Sequence, residues 1–272
     1  MTAALAPLPQ HESLPGLPLS RSVAADSHAR AEEALGEVRS ILFHDHLTGI
    51  GNRRHFEGRL KEVIEDRRPG RDEPVLLLLD LDRFKAVNDT LGHVVGDDLL
   101  RLVAMRMKDM LGPGDTLARL GGDEFGIITH STAHADQLAT RLVDVVQRTY
   151  LVDGYPINIG VSIGLARCPQ DGADRGVLLQ NADLALYQAK AAGRSCFLHF
   201  QPEMAIKARD RREFELALRK ALTLRQMELH YKPQVDVQSK RLIGLQAMLR
   251  WRHPTKGLLL PCLLYTSDAA DE

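Results

Sequence analysis

The chain has 272 residues, 44% hydrophobic and 26% charged, with a formal net charge of −1. That balance suits a globular chain of one or two domains and gives no electrostatic reason to expect nucleic acid or an anionic membrane as partner. Cys168, Cys196 and Cys262 form no metal-ligand or disulfide pattern, and no apolar run is long enough to span a bilayer. No secretory leader opens the chain, so a cytoplasmic protein is expected.

Residues 1–26, with Pro7, Pro9, Pro15 and Pro18, read as a flexible tail. Residues 27–44 read as a stalk helix. Ala31, Leu35, Val38 and Leu42 alternate by four and three, which suits either a short helix pair or packing on the chain's own domain.

The run Pro74-Val-Leu-Leu-Leu-Leu79 predicts a buried central strand, and Asp80-Leu81-Asp82 follows it. Strand alternation puts Asp80 and Asp82 on one face, where they either ligate a hard cation or end the strand and cap the next helix. Asn88-Asp89 and Gly92-His93-Val94-Val95-Gly96-Asp97 come next. Asn88 and Asp97 together offer donors and acceptors that match a guanine edge, although turns and caps are the commoner use of Asx residues. The spacing predicts a helix over Leu99–Leu111, closed by Gly112-Pro113-Gly114.

Residues 121–125 read Gly-Gly-Asp-Glu-Phe between two apolar runs. This predicts a hairpin with a Gly-Gly turn that holds Asp123 and Glu124 at a strand end. A helix is expected over Ala133–Tyr150, a strand over Ile157–Ala166 and a helix over Val177–Ala192, ended by Gly193. Lys190 and Arg194 lie four apart, one turn from each other on a helical face, as a phosphate clamp or as solvated charges. No P-loop is present.

Strands alternate with helices but a hairpin interrupts them. The fold class is therefore α/β (α+β), with a mixed or antiparallel sheet flanked by helices over residues 45–199. Residues 200–224 read as a linker helix, and residues 225–261 as the strand-rich start of a second domain.

In order and spacing, these motifs resemble the diguanylate cyclase, or GGDEF, family. They are Asp45-x-Leu47-Thr48-Gly49-x-x-Asn52-Arg53, Asp80-Leu81-Asp82-x-Phe84-Lys85-x-x-Asn88-Asp89, Gly92-His93-x-x-Gly96-Asp97 and Arg119-x-Gly121-Gly122-Asp123-Glu124-Phe125, followed by Ser162-Ile163-Gly164 and Ala182-Asp183 through Lys190 to Arg194. The resemblance implies a palm-like nucleotidyl-cyclase fold and condensation of two GTP into cyclic di-GMP and pyrophosphate by a homodimer, in bacterial second-messenger signalling. It implies Mg²⁺ (or Mn²⁺) held by Asp80, Asp123 and the Leu81 carbonyl. Asn88 and Asp97 would read guanine with His93 nearby, and Lys85, Lys190 and Arg194 would face phosphate. Asp123 or Glu124 would assist removal of the 3′-hydroxyl proton. The alternative is an idle module that senses GTP and regulates a C-terminal domain.

Several positions depart from the family pattern. Gly112 stands where the product-inhibition arginine belongs, His46 and Gly51 replace common prolines, and Ser195 replaces a common asparagine. Residues 225–261 resemble the start of an EAL phosphodiesterase domain, through Leu229-His230-Tyr231-Lys232-Pro233-Gln234 and Leu249-Arg250-Trp251-x-His253-Pro254. There Gln246-Ala247-Met248 replaces Glu-Ala-Leu, and Lys232 replaces a glutamine. An amide is a poorer ligand than a carboxylate for a hard cation, so hydrolysis by this segment is not expected. Residues 262–272 resemble translated sequencing adapter, which implies a natural gene that continues past Pro261. The strands before it are expected to be disordered or aggregation-prone.

Overall fold

The structure, a computed structural model, describes residues 41–66 and 73–260. The stalk stripe at Ala31, Leu35 and Val38, the N-terminal tail and residues 262–272 lie outside the described residues.

From His44 onward the chain is built on a six-stranded mixed sheet. Strand β1 (Gly51–Asn52) leads into helix α1 (Arg53–Glu65), and β2 (Val75–Asp82) leads into α2 (Phe84–Leu91) and α3 (His93–Lys108). A hairpin of β3 (Thr116–Gly121) and β4 (Glu124–Thr129) precedes α4 (Thr132–Val146). A small hairpin, β5 (Tyr150–Val152) and β6 (Tyr155–Ile157), is followed by β7 (Gly160–Arg167), α5 (Arg175–Ala191) and β8 (Phe197–His199). Spatially the sheet runs β1-β3-β4-β2-β7-β8, with β2 antiparallel to both neighbours and the two outer pairs parallel.

Strand β2 is covered on both faces, which is why its sequence is a continuous apolar run rather than an alternation. Leu77, Leu79 and Leu81 enter the core with Leu99, Val103 and Met107 of α3 and Leu138 and Leu142 of α4. Leu76 and Leu78 face Phe56 and Leu60 of α1 and Leu178, Ala182 and Ala185 of α5. The second stripe continues with the same period into Asp80 and Asp82. One sheet face thus runs from packed leucine to carboxylate within four residues.

Three expectations are corrected. The helix expected to reach Tyr150 stops at Val146, because the Arg106 guanidinium gathers the Val145 and Arg148 carbonyls at 3.0 and 2.8 Å and lies 3.7 Å over the Tyr150 ring. Tyr150 then opens a hairpin turned by Asp153-Gly154, both at positive φ, a sequence signal that favours such turns. The two-residue turn of the signature hairpin is Gly122-Asp123 rather than Gly-Gly: Gly121 stays in the ladder opposite Glu124, beyond a bulge after Arg119.

The third correction concerns only the disorder expected of the C-terminal strands: they form a defined sheet, and it leaves many apolar side chains exposed. Helix α6 (Pro202–Ala221) is followed by an antiparallel sheet of β9 (Met227–Val235), β10 (Leu242–His253) and β11 (Gly257–Leu259). Trp251 is 0% exposed, packs 5.0 Å from the Phe214 ring of α6, and donates to Gln226 Oε1 at 3.0 Å. The linker helix covers the sheet only at Trp251, while Leu229, Tyr231, Leu242, Ile243 and Leu245 stay exposed. Trp251 is the single tryptophan, so its emission reports this sheet alone. Phe214→Ala should destabilise the sheet by about 3 kcal/mol. The expected readout is a red-shifted emission with an earlier denaturant midpoint, while far-UV dichroism of the main domain keeps its own midpoint.

Candidate active site

At its C-terminal end β2 separates its two acids. Asp80 stands opposite Glu124 of β4 and Ser162 of β7, which places all three on one face of the sheet. Its side chain is 14% exposed, and its Oδ2 is 2.7 Å from Lys190 Nζ, which reaches over from α5. Burial, reinforced by Asp123 and Asp82, pushes the Asp80 carboxyl up to about 6, with Lys190 pulling the other way. Asp82, 7% exposed, is instead engaged by protein donors at both oxygens. It accepts from Ser162 Oγ at 2.6 Å, Ser195 N at 2.9 Å and Ser195 Oγ at 3.1 Å.

The signature hairpin sits beside this strand end. The Leu81 N–H donates to the Asp123 carbonyl at 3.3 Å. In antiparallel pairing a residue turns both its polar groups to the same neighbour, so the Leu81 carbonyl also faces the hairpin. Asp123 is half-buried at the turn and Glu124 is exposed. A Cβ at Gly121 or Gly122 would meet no heavy atom within 4 Å, so the space over the turn is open. Gly122, at φ 51, occupies a left-handed conformation that favours glycine.

Two arginines fix the hairpin from below. Arg119 donates through Nε to the Gly122 carbonyl at 2.9 Å and through Nη1 to Asp45 at 3.2 Å. Burial raises the Asp45 carboxyl, but hydrogen bonds from Thr48 and the Arg119 charge outweigh it and leave the group below its usual range. Arg53, the first residue of α1, donates to the Leu120 carbonyl at 2.9 Å and lies 3.6 Å from Glu124. Asn52 caps the same helix by accepting from His55 N at 2.9 Å. Sequence reading named Asp45, Arg53 and Arg119 as motif residues without a role. Their signal was a charge beside each glycine turn.

Helices α2 and α3 meet at Gly96, where any Cβ would collide with Asn88 Oδ1. That oxygen is buried without a hydrogen-bond partner. Asp97 follows Gly96, so the contact sets the Asn88 and Asp97 helices together, while His93, Asp97 and Lys85 are exposed. Lys85 stands in the first turn of α2, two residues past left-handed Arg83.

Lys190 and Arg194 do not share a helical face. Helix α5 ends at Ala191, and Arg194 lies beyond it at φ 65. Lys190 reaches Asp80, whereas Arg194 joins Asp82, Arg83 and Ser195 in lining a cavity of about 670 Å³. No group of three His, Cys, Asp or Glu side chains among the described residues is arranged as a metal cage. Two acids plus a carbonyl is nevertheless the small protein share that Mg²⁺ takes when phosphates and water complete its shell.

At the turn after α3, Asp115 Oδ2 is consumed by Gly112 N at 2.8 Å and His134 Nε2 at 2.9 Å. In the C-terminal sheet, Gln246 and Lys232 are direct cross-strand partners, so the two departures from the EAL pattern face each other. No helix among the described residues is long and apolar enough to cross a membrane.

The sequence profile of the diguanylate cyclase GGDEF domain matches residues 42–196, and that of the EAL domain matches residues 215–268. The bifunctional diguanylate cyclase/cyclic di-GMP phosphodiesterase MucR of Pseudomonas aeruginosa is 40% identical over 242 residues, covering 88% of this chain and 35% of the relative. The cyclic di-GMP phosphodiesterase NbdA of the same species is 37% identical over 232 residues, covering 85% and 30%. The chain thus spans about a third of the curated relatives it matches. Among solved structures, the GGDEF domain of TpbB (YfiN) from P. aeruginosa is 35% identical with a TM-score of 0.58, covering 61% of this chain and 99% of that one. The coiled coil and GGDEF domain of DgcB from Caulobacter crescentus, in complex with c-di-GMP, is 32% identical with a TM-score of 0.58, covering 66% and 98%.

The elevated Asp80 carboxyl has a consequence for stability. Its folded pKa of about 6 exceeds the ordinary 3.8, so the ionised form opposes folding. Two units correspond to about 3 kcal/mol, present above pH 6 and relieved as pH falls from 6 toward 4. Asp80→Asn also gives up the Lys190 pair, so the net gain should be about 1 kcal/mol, a Tm rise of about 2–4 °C near neutral pH. The gain should shrink toward pH 4.5 in thermal scans.

Proposed function

The chain belongs to the GGDEF diguanylate cyclase domain family, and on that premise we propose that it condenses two GTP molecules into cyclic di-GMP and pyrophosphate as a homodimer. The observation that carries this reading is the convergence of Asp80, Asp123 and Glu124 at the β2–hairpin junction, with the Lys190 ammonium directly on Asp80. The reading includes a cytoplasmic location, where GTP is supplied.

In the reaction a 3′-oxygen forms a bond to an α-phosphorus and the bond to the β-phosphate oxygen breaks, releasing pyrophosphate. Bound by Asp80, Asp123 and the Leu81 carbonyl, Mg²⁺ (or Mn²⁺) would polarise the phosphate and lower the charge of the attacking oxygen. Asp123 or Glu124 takes the 3′-hydroxyl proton; Glu124, exposed beside the open turn, has the freer approach. Lys85, Lys190 and Arg194 offset phosphate charge. Lys190 is the counter-ion of Asp80 and stands within the reach of phosphates that a metal held by Asp80 would bring.

Guanine is read by Asn88 and Asp97, with His93 nearby. The packing of Asn88 against Gly96, which sets the Asn88 and Asp97 helices side by side, supports this assignment. Each site holds one nucleotide, so a two-nucleotide ring needs two domains face to face. The occupied Asp115 and the glycine at 112 leave no arginine fork for product at this turn, so the reading includes weak feedback inhibition there.

One observation favours a second reading, a module that senses GTP without turnover. NbdA, 37% identical, is named for phosphodiesterase activity alone.

Incubation with GTP and Mg²⁺, with chromatography for cyclic di-GMP, separates the two. Wild type should form product, and Asp123→Ala should lose at least about 100-fold in rate. GTP binding with no product from wild type would leave only the sensor. Asn88→Ala should cut the preference for GTP over ATP about tenfold in competition binding while leaving Tm equal or higher, since the orphaned oxygen is removed.

A further inference from the structure

Three consecutive residues after α5 have positive φ: Gly193 at 121°, Arg194 at 65° and Ser195 at 50°. For the two non-glycine residues this conformation costs about 1–2 kcal/mol each, so the surroundings must hold them there. The holding group is Asp82. Its Oδ1 is oriented by the Ser162 hydroxyl at 2.6 Å, and its Oδ2 accepts both the N–H and the hydroxyl of Ser195 at 2.9 and 3.1 Å. Gly160 completes the seat, because a Cβ there would collide with Ser195 Oγ and crowd Asp82 Oδ2. On the other side the Arg194 N–H donates to the Ala189 carbonyl at 3.2 Å.

The Arg194 backbone is thereby clamped at both ends, and Arg194 lines a cavity with Arg83 and with Asp82, which lies two residues along β2 from Asp80. We propose that Asp82 is a positioning residue, not a metal ligand: through Ser195 it sets Arg194 in place for the phosphates of the nucleotide. The inference rests on the proposed GTP reading. It also explains why serine suffices at position 195. The backbone N–H donates whatever the side chain, and the hydroxyl supplies the second donor to Asp82.

The test is a double-mutant cycle on a fluorescent GTP analogue with Mg²⁺, using wild type, Asp82→Asn, Arg194→Ala and the double variant. Asparagine keeps the size of Asp82 but sets an amide against the Ser195 N–H. Each single change should weaken binding about tenfold, and the double variant should bind no more weakly than Arg194→Ala alone. Losses that multiply in the double variant overturn the positioning role and leave the GTP reading intact. Failure of wild type to bind overturns both. If Asp82→Asn does not fold, Ser195→Ala replaces it in the cycle with a loss of about threefold, and Ser195→Asn should restore binding. Equal binding by Ser195→Ala and wild type also overturns the proposal.

Discussion

The structure depends on one constraint: a carboxylate, Asp80, placed at the end of the most buried strand of the sheet. Water is largely excluded there, so the charge needs a cation supplied by the fold or by a ligand. Helix α5 meets that need by lying along the Leu76–Leu78 stripe and delivering Lys190 to the next position on the same face. The close packing of α5 on β7 and β2 thus sets the electrostatics of the site as well as its shape.

The two acids of Asp80-Leu81-Asp82 look equivalent in sequence and do opposite work. Asp82 accepts from three donors, with both oxygens engaged. Asp80 has a single mobile ammonium and an elevated pKa. On the proposed reading, a site that binds and releases a cation needs one accessible carboxylate and a rigid frame around it, and Asp80 and Asp82 supply these within three residues. Arg119 and Arg53 extend the frame to the hairpin, gripping the Gly122 and Leu120 carbonyls so that Asp123 is held by backbone contacts.

Much of this was legible in the sequence because it depended on local period and glycine placement. The apolar run over 75–79, the acids after it and the presence of a glycine hairpin before Glu124 were readable locally, although the turn itself falls one residue later, at Gly122-Asp123. The hidden parts depended on tertiary contacts. Arg106 ends α4 by reaching 39 residues along the chain, which no local pattern reveals. The Lys190–Arg194 spacing suggested a shared helical face, but the helix ends between them and Asp82, over a hundred residues away, sets the conformation after it. The Asp153-Gly154 turn was readable, yet the apolar helix period before it masked the change.

Two departures from the family pattern, at Gly112 and at Gln246 with Lys232, fall on one side of the chemistry. At the α3 turn a glycine stands where an arginine would meet product phosphate, and the remaining acid is tied to His134. In the C-terminal sheet an amide, Gln246, stands at the position of the EAL carboxylate, with Lys232 as its cross-strand partner. Both changes weaken groups that would engage cyclic di-GMP after it forms. The acids and cations of the β2 end are all retained. On the proposed reading, this chain keeps its charges where the nucleotide is joined and loses them where the product is sensed or cut.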